Sequence, residues 1–163
     1  MHPDPDRLLE QAEALYDNYK DETDLRSAVR TAYYAVFHYA LRAAADLVVG
    51  QANRSTPRYN LAYCSVEHKR LKTLCGQLRS RNHVILPYAP LGGFGGLIVF
   101  ARLVLNLQQE RHRADYQPMA HFDEARAEQA VSAAREAIKA FEAANTEQRE
   151  ALLTLLLFEP RQP

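Results

Sequence analysis

Net charge is the first thing this chain lacks. Its 163 residues carry 20 Lys and Arg against 20 Asp and Glu, so no global field draws it to nucleic acid or to an anionic membrane surface. Long apolar runs are missing too. The most apolar stretch, Leu97 to Leu107, is interrupted by Arg102 and is too short for a bilayer, which excludes a membrane span. The opening Met1-His2-Pro3-Asp4-Pro5-Asp6 is polar and acidic where a secretory leader needs a basic and then an apolar segment. Cysteine is scarce. Cys64 and Cys75 would stand ~16 Å apart along one continuous helix, beyond disulfide reach. These absences predict a cytoplasmic protein with two free thiols.

What is present reads as helix almost throughout. Hydrophobic residues at 47% and charged residues at 25% are the balance of a globular chain. The length suits one domain, residues 1–163, burying about two thirds of its unfolded surface. Pro3 to Asp6 start a first helix with Leu8, Ala12, Leu15 and Tyr19 at helical spacing. Thr23 or Asp24 caps a long second helix from about Leu25 to Val49, stopped by Gly50. A third runs roughly from Leu61 to Arg79 and a fourth from Leu97 to Arg113. A fifth follows the cap at Asp123, and a sixth begins at Asn145 or Thr146. The sixth is apolar nearly all round (Leu152, Leu153, Leu155, Leu156, Leu157, Phe158) and must be covered, in part by a second subunit. The expected fold is all-α, an up-and-down bundle of five to six helices.

Residues 81 to 96 interrupt this pattern. Two prolines and four glycines there exclude a stable helix. Gly92-Gly93-Phe94-Gly95-Gly96 lacks the lysine and hydroxyl of a phosphate loop, and no strand precedes it. It reads as a connector with Phe94 anchored in apolar surface.

The chemistry concentrates in two fragments. In the second helix Arg30, Tyr34 and His38 stand at i, i+4 and i+8. Each four-residue step drifts only ~40° around the axis, so the three form one polar ribbon. It borders the apolar stripe of Val29, Ala32, Tyr33, Val36, Phe37, Ala40 and Leu41. Polar groups at such an edge need partners, and Arg111-His112-Arg113-Ala114-Asp115-Tyr116 offers them. Arg111 and Asp115 also suit a simple intrahelical ion pair, and His112 reads as exposed. Cys64 and His68, four apart, supply two metal ligands at most, where zinc needs four; neither metal nor cofactor is expected. Charge is unevenly spread: the N-terminal stretch is acidic, whereas residues 54 to 83 carry seven Lys and Arg against Glu67 alone. That layout suits a solvated helix face, RNA, or a contact between subunits.

Ala32-Tyr33-Tyr34-Ala35-Val36-Phe37-His38, Glu67-His68-Lys69, and Arg111 through Tyr116 together carry a resemblance. Over roughly residues 8 to 145 the chain resembles the HEPN (higher eukaryotes and prokaryotes nucleotide-binding) superfamily, in the prokaryotic branch with an Arg-x-x-Ala-Asp-Tyr ending. The resemblance implies an up-and-down bundle, commonly a homodimer. Several members are metal-independent ribonucleases and toxins partnered by a small nucleotidyltransferase-type antitoxin. In them an arginine stabilises charge on the phosphorane, and a histidine moves the proton of the attacking 2′-hydroxyl. Carried onto this chain, the catalytic candidates are Arg111, His38 and Asp115, and the ligand contacts are Arg30, Tyr34, His68 and Tyr116.

The chain departs from the motif of arginine, four to six residues, then histidine. His112 follows Arg111 at once, and Asp115 occupies the histidine position. An aspartate paired with arginines is a poor proton shuttle. The expectation is therefore a module binding nucleotide or RNA, within a toxin–antitoxin or defence system, with its catalysis degenerate. An active ribonuclease is one alternative. A structural or protein-interaction domain, its cluster fixing helix register alone, is the other.

Overall fold

The computed structural model describes residues 1–161. Those residues form seven α-helices and no strand: α1 (Pro5–Asp17), α2 (Glu22–Val49), α3 (Pro57–Tyr63), α4 (His68–Ser80), α5 (Leu97–Tyr116), α6 (Glu124–Ala143) and α7 (Thr146–Leu157). None is long and apolar enough to cross a membrane. The 28-residue α2 is the hub, packing against α1, α3, α5, α6 and α7. Ala28, Ala32, Ala35, Ala40, Ala44 and Ala45 are all buried along it. Small side chains on several faces let that many neighbours approach one axis. One buried cluster runs from Leu9 through the middle of α2 to Leu156.

Caps set the boundaries. Asp4 accepts from the Asp6 amide, with Pro5 at the first helical position, so α1 begins where that residue pair dictates. The expected cap of α2 moves upstream: Asp21 accepts from the Thr23 amide, while Asp24 accepts from Lys20. Gly50, at φ +88°, ends α2 in a conformation that favours glycine. Asp123 caps α6, and Asn145 with Gln148 forms a capping box on α7.

The single helix expected over residues 61–79 is instead two. Cys64 ends α3, the Ser65 hydroxyl donates to the Ala62 carbonyl, and Glu67 stands before the first turn of α4 without a side-chain cap. The break lets α3 lay Tyr59 and Tyr63 on α2 while α4 turns toward α5. It also separates Cys64 from His68, so the two share no helix face. In α7, Leu152, Leu153, Leu155 and Leu156 are buried within the chain itself and only Phe158 is left largely exposed. Phe94 is buried, as its surroundings in the connector predict.

Arg26 ties the turn after α5 to the hub. Its guanidinium donates to the carbonyls of Ala114 at 3.1 Å, Gln117 at 3.2 Å and Pro118 at 3.2 Å, and also to Ala120. It lies 4.7 Å from the centre of the Phe122 ring, which Arg126 also faces at 4.2 Å. Four carbonyls converging on one cation depend on its fork of donors. Arg26→Met should therefore cost about 2 kcal/mol, since the part-buried bonds to the Ala114 and Ala120 carbonyls and the pairing with Glu22 are lost, while the Gln117 and Pro118 carbonyls are open to water. Urea titration of the variant should show a lower midpoint, with Arg26→Lys recovering less than half; an unchanged midpoint would make the clamp ornamental.

Candidate functional site

The polar edge of α2 meets three other helices in a continuous row. At its start, Asp115 in the last turn of α5 is held by two guanidiniums: Arg111 Nη1 at 3.0 Å from Oδ2 and Arg30 Nη1 at 3.4 Å from Oδ1. Arg30 also donates to Ser27 Oγ at 2.9 Å. Arg111 and Asp115 are mostly buried, whereas Arg30 is more open. The Arg111 guanidinium lies 5.4 Å from the centre of the Tyr33 ring, within cation–π reach. Burial disfavours its charge, but the hydrogen bond to Asp115 and the phenols of Tyr34 and Tyr33 outweigh that, and its pKa is raised.

The row continues through rings. Tyr33 Oη is 2.8 Å from His68 Nδ1, and His68 stacks on Phe37 with centroids 3.8 Å apart. Tyr34 meets the same imidazole edge-on at 5.8 Å. One turn along, His38 Nδ1 is 2.7 Å from Tyr63 Oη. His2 then stacks on Tyr63 at 4.0 Å, and Tyr59 donates to Asp46 at 2.8 Å. His68 sits at the first position of α4 because the break after α3 places it there.

Burial gives this row its chemistry. The His68 pKa is lowered by desolvation and by the nearby Arg111 charge. That of His38 is lowered by desolvation, then by His68 and His2. Both imidazoles are therefore held in the neutral form, each with a phenol on Nδ1. Burial raises the Tyr63 hydroxyl to about 12 and moves the Tyr33 hydroxyl up as well.

Six of the seven residues singled out from the sequence meet here: Arg30, Tyr34, His38, His68, Arg111 and Asp115. Tyr116 does not join them. It is 65% exposed and lies against the exposed His112, 4.9 Å between centroids. Its position after Asp115 at the end of α5 turns it outward. Tyr33, Tyr63, Tyr59, Asp46 and His2 escaped sequence reasoning. Tyr33 counts by spacing as apolar stripe, yet its hydroxyl reaches His68; Tyr63 lies beyond a break that periodicity does not show.

A groove of about 480 Å³ opens beside Arg111, between α4 and α5. Lys72, Arg79, Arg111, His112 and Arg113 line it, and no carboxylate does. Arg113 is paired with Glu110 at 2.9 Å. Lys72 and Arg79 are exposed and make no ion pair among the described residues.

No family model, curated protein or solved structure matches the chain, so its own chemistry carries the functional reading.

The half-buried imidazoles make stability pH-dependent. A histidine whose folded pKa lies below the unfolded value of ~6.5 lets the unfolded state take up the proton first as pH falls. Its contribution is thus complete above about pH 6.5 and declines as the pH drops through the folded value. The urea midpoint should fall between neutral and mildly acidic pH, and less steeply in a His38→Asn/His68→Asn variant. An equal slope in that variant would assign the dependence elsewhere.

Proposed function

We propose that this chain is a HEPN-like module, an up-and-down bundle forming one domain over residues 1–163. It binds RNA or a nucleotide through phosphate and has lost the ribonuclease chemistry of its relatives. The observation that carries this is the α4–α5 groove, where Lys72 and Arg79 face solvent uncompensated beside Arg111 and no acidic side chain lines the wall. A zero-net-charge chain that concentrates unopposed cations in one concavity focuses a field there. Phosphate is the anion that arginine and lysine recognise together.

The degenerate chemistry follows from Asp115. The residue at the motif's histidine position is a carboxylate between two guanidiniums, where the motif places an imidazole. The same reading takes the working form to be a cytoplasmic homodimer, with a nucleotidyltransferase-type antitoxin as its partner in a toxin–antitoxin or defence system. Exposed Val48, Leu61 and Phe158 supply apolar surface for a second copy.

One observation favours an active, metal-independent ribonuclease instead. His38 and His68 are unprotonated at neutral pH, the state a base needs to take a 2′-hydroxyl proton.

Binding of a single-stranded RNA, followed by fluorescence anisotropy, should weaken with salt at a log–log slope of about −0.7 per phosphate neutralised. Lys72→Glu/Arg79→Glu should flatten that slope by about 1.4. Absence of affinity at low salt would remove the binding reading. Under the second reading, pure protein in chelator cleaves RNA, and both Arg111→Ala and His38→Ala abolish cleavage. Cleavage persisting in both variants would belong to a contaminant.

A further inference from the structure

The segment before α1 lies in a cavity that it does not fill. About 820 Å³ of open space adjoins it, walled by Arg42, Arg54, Thr56, Asn60, Tyr59 and Tyr63, a volume in the range of small-molecule sites. Two contacts hold the segment. The His2 imidazole stacks on Tyr63 with centroids 4.0 Å apart and planes inclined by 29°, with Tyr59 flanking it at 5.6 Å. Two residues on, Asp4 Oδ1 approaches Arg42 Nη1 at 3.6 Å. The segment thus presents one flat ring and one anion to one aromatic face and one cation.

Neighbouring groups show which of these contacts can be exchanged. Arg54 is committed to Asp46 through Nε at 2.9 Å, and Tyr59 donates to the same carboxylate, so that charge is already matched. The Asp4 carboxylate is half exposed, and the Arg42 guanidinium has no other carboxylate within ion-pair distance among the described residues. Displacing the segment would bare both the upper face of Tyr63 and the Arg42 cation. The His2 ring takes no part in holding α1; Asp4 Oδ1 does, accepting from the Asp6 amide at 3.1 Å, so what can be exchanged at Asp4 is its longer contact to Arg42 and not the cap.

We propose that the His2 ring and the Arg42 contact of Asp4 are internal occupants of a binding slot for a planar aromatic anion, and that a free ligand of this class enters by displacing that ring and taking over Arg42 while Asp4 keeps the α1 cap. Nucleoside monophosphates and aromatic carboxylates share that chemistry. The slot is separate from the α4–α5 groove, and the inference does not rest on RNA binding there.

The effect of an internal competitor is to lower apparent affinity by the fraction of time the slot is open. The test uses His2→Ala/Asp4→Ser in the full chain, serine preserving the α1 cap, with helicity checked by circular dichroism. Adenosine monophosphate and indole-3-propionate are titrated by calorimetry, with ribose 5-phosphate as the anion without a ring. The variant should bind at least one of the aromatic probes roughly tenfold or more tighter than the unaltered protein, about the worth of one stacked ring. A gain for both probes marks a general aromatic-anion slot, and a gain for adenosine monophosphate alone marks a nucleotide slot. The gain should vanish on adding Tyr63→Leu and survive Lys72→Glu/Arg79→Glu. In the unaltered protein, saturating probe should return the His2 ring protons from a ring-current-shifted position to that of free histidine.

Equal affinity of variant and unaltered protein for both aromatic probes would overturn the proposal. So would an equal gain for ribose 5-phosphate, or His2 resonances that stay in place while the probe binds.

Discussion

Everything in this structure follows from burying α2 on several sides at once. A helix surrounded by α1, α3, α5, α6 and α7 leaves many of its polar side chains half-buried at the edges of its packed faces, where groups from other elements replace part of their water. Arg26 finds carbonyls beyond α5, and Arg30 finds Asp115. Tyr33 finds His68, His38 finds Tyr63, and Asp46 finds Tyr59 and Arg54. The surrounding helices are fastened to the hub by these lateral contacts as much as by alanine-lined packing. The candidate site is the same set of contacts where they lie close enough to solvent to admit a ligand.

The arrangement separates two kinds of charge. Arg30 and Arg111 share the one carboxylate of Asp115, and removing that carboxylate would strand both guanidiniums. Lys72 and Arg79 a short distance away are uncompensated and wet. Groups of the first kind hold geometry; groups of the second kind are free to meet an incoming anion. A chain with no net charge can do both because none of its acidic residues, though spread over most of its helices, lines the groove.

Much of the fold was legible because helical spacing and capping are local. Asp4, Gly50, Asp123 and Asn145 mark their boundaries in the residues themselves. The ribbon of Arg30, Tyr34 and His38 was legible for the same reason, and so was Asp115 as an acceptor for it. Less visible was anything set by tertiary contact. Residues 64 to 67 contain neither proline nor glycine, so the split between α3 and α4 leaves no local mark; packing on two different neighbours imposes it. Tyr33 misled because tyrosine is apolar by area and polar at its tip. Arg26, one turn ahead of the ribbon, went unnoticed because, its Glu22 pair apart, its partners are main-chain carbonyls, which no side-chain pattern can announce. Tyr116 failed in the opposite sense: adjacent in sequence to Asp115, it points away from it.

The split between α3 and α4 also divides the ring row into two mechanically distinct segments. Tyr63 reaches His38 from a helix of seven residues, while His68 reaches Tyr33 from a separate and longer one. The two pairs are therefore carried by separately bounded helices, and because Tyr59 and Tyr63 are both buried against α2, the short one is anchored by its rings and not by its length.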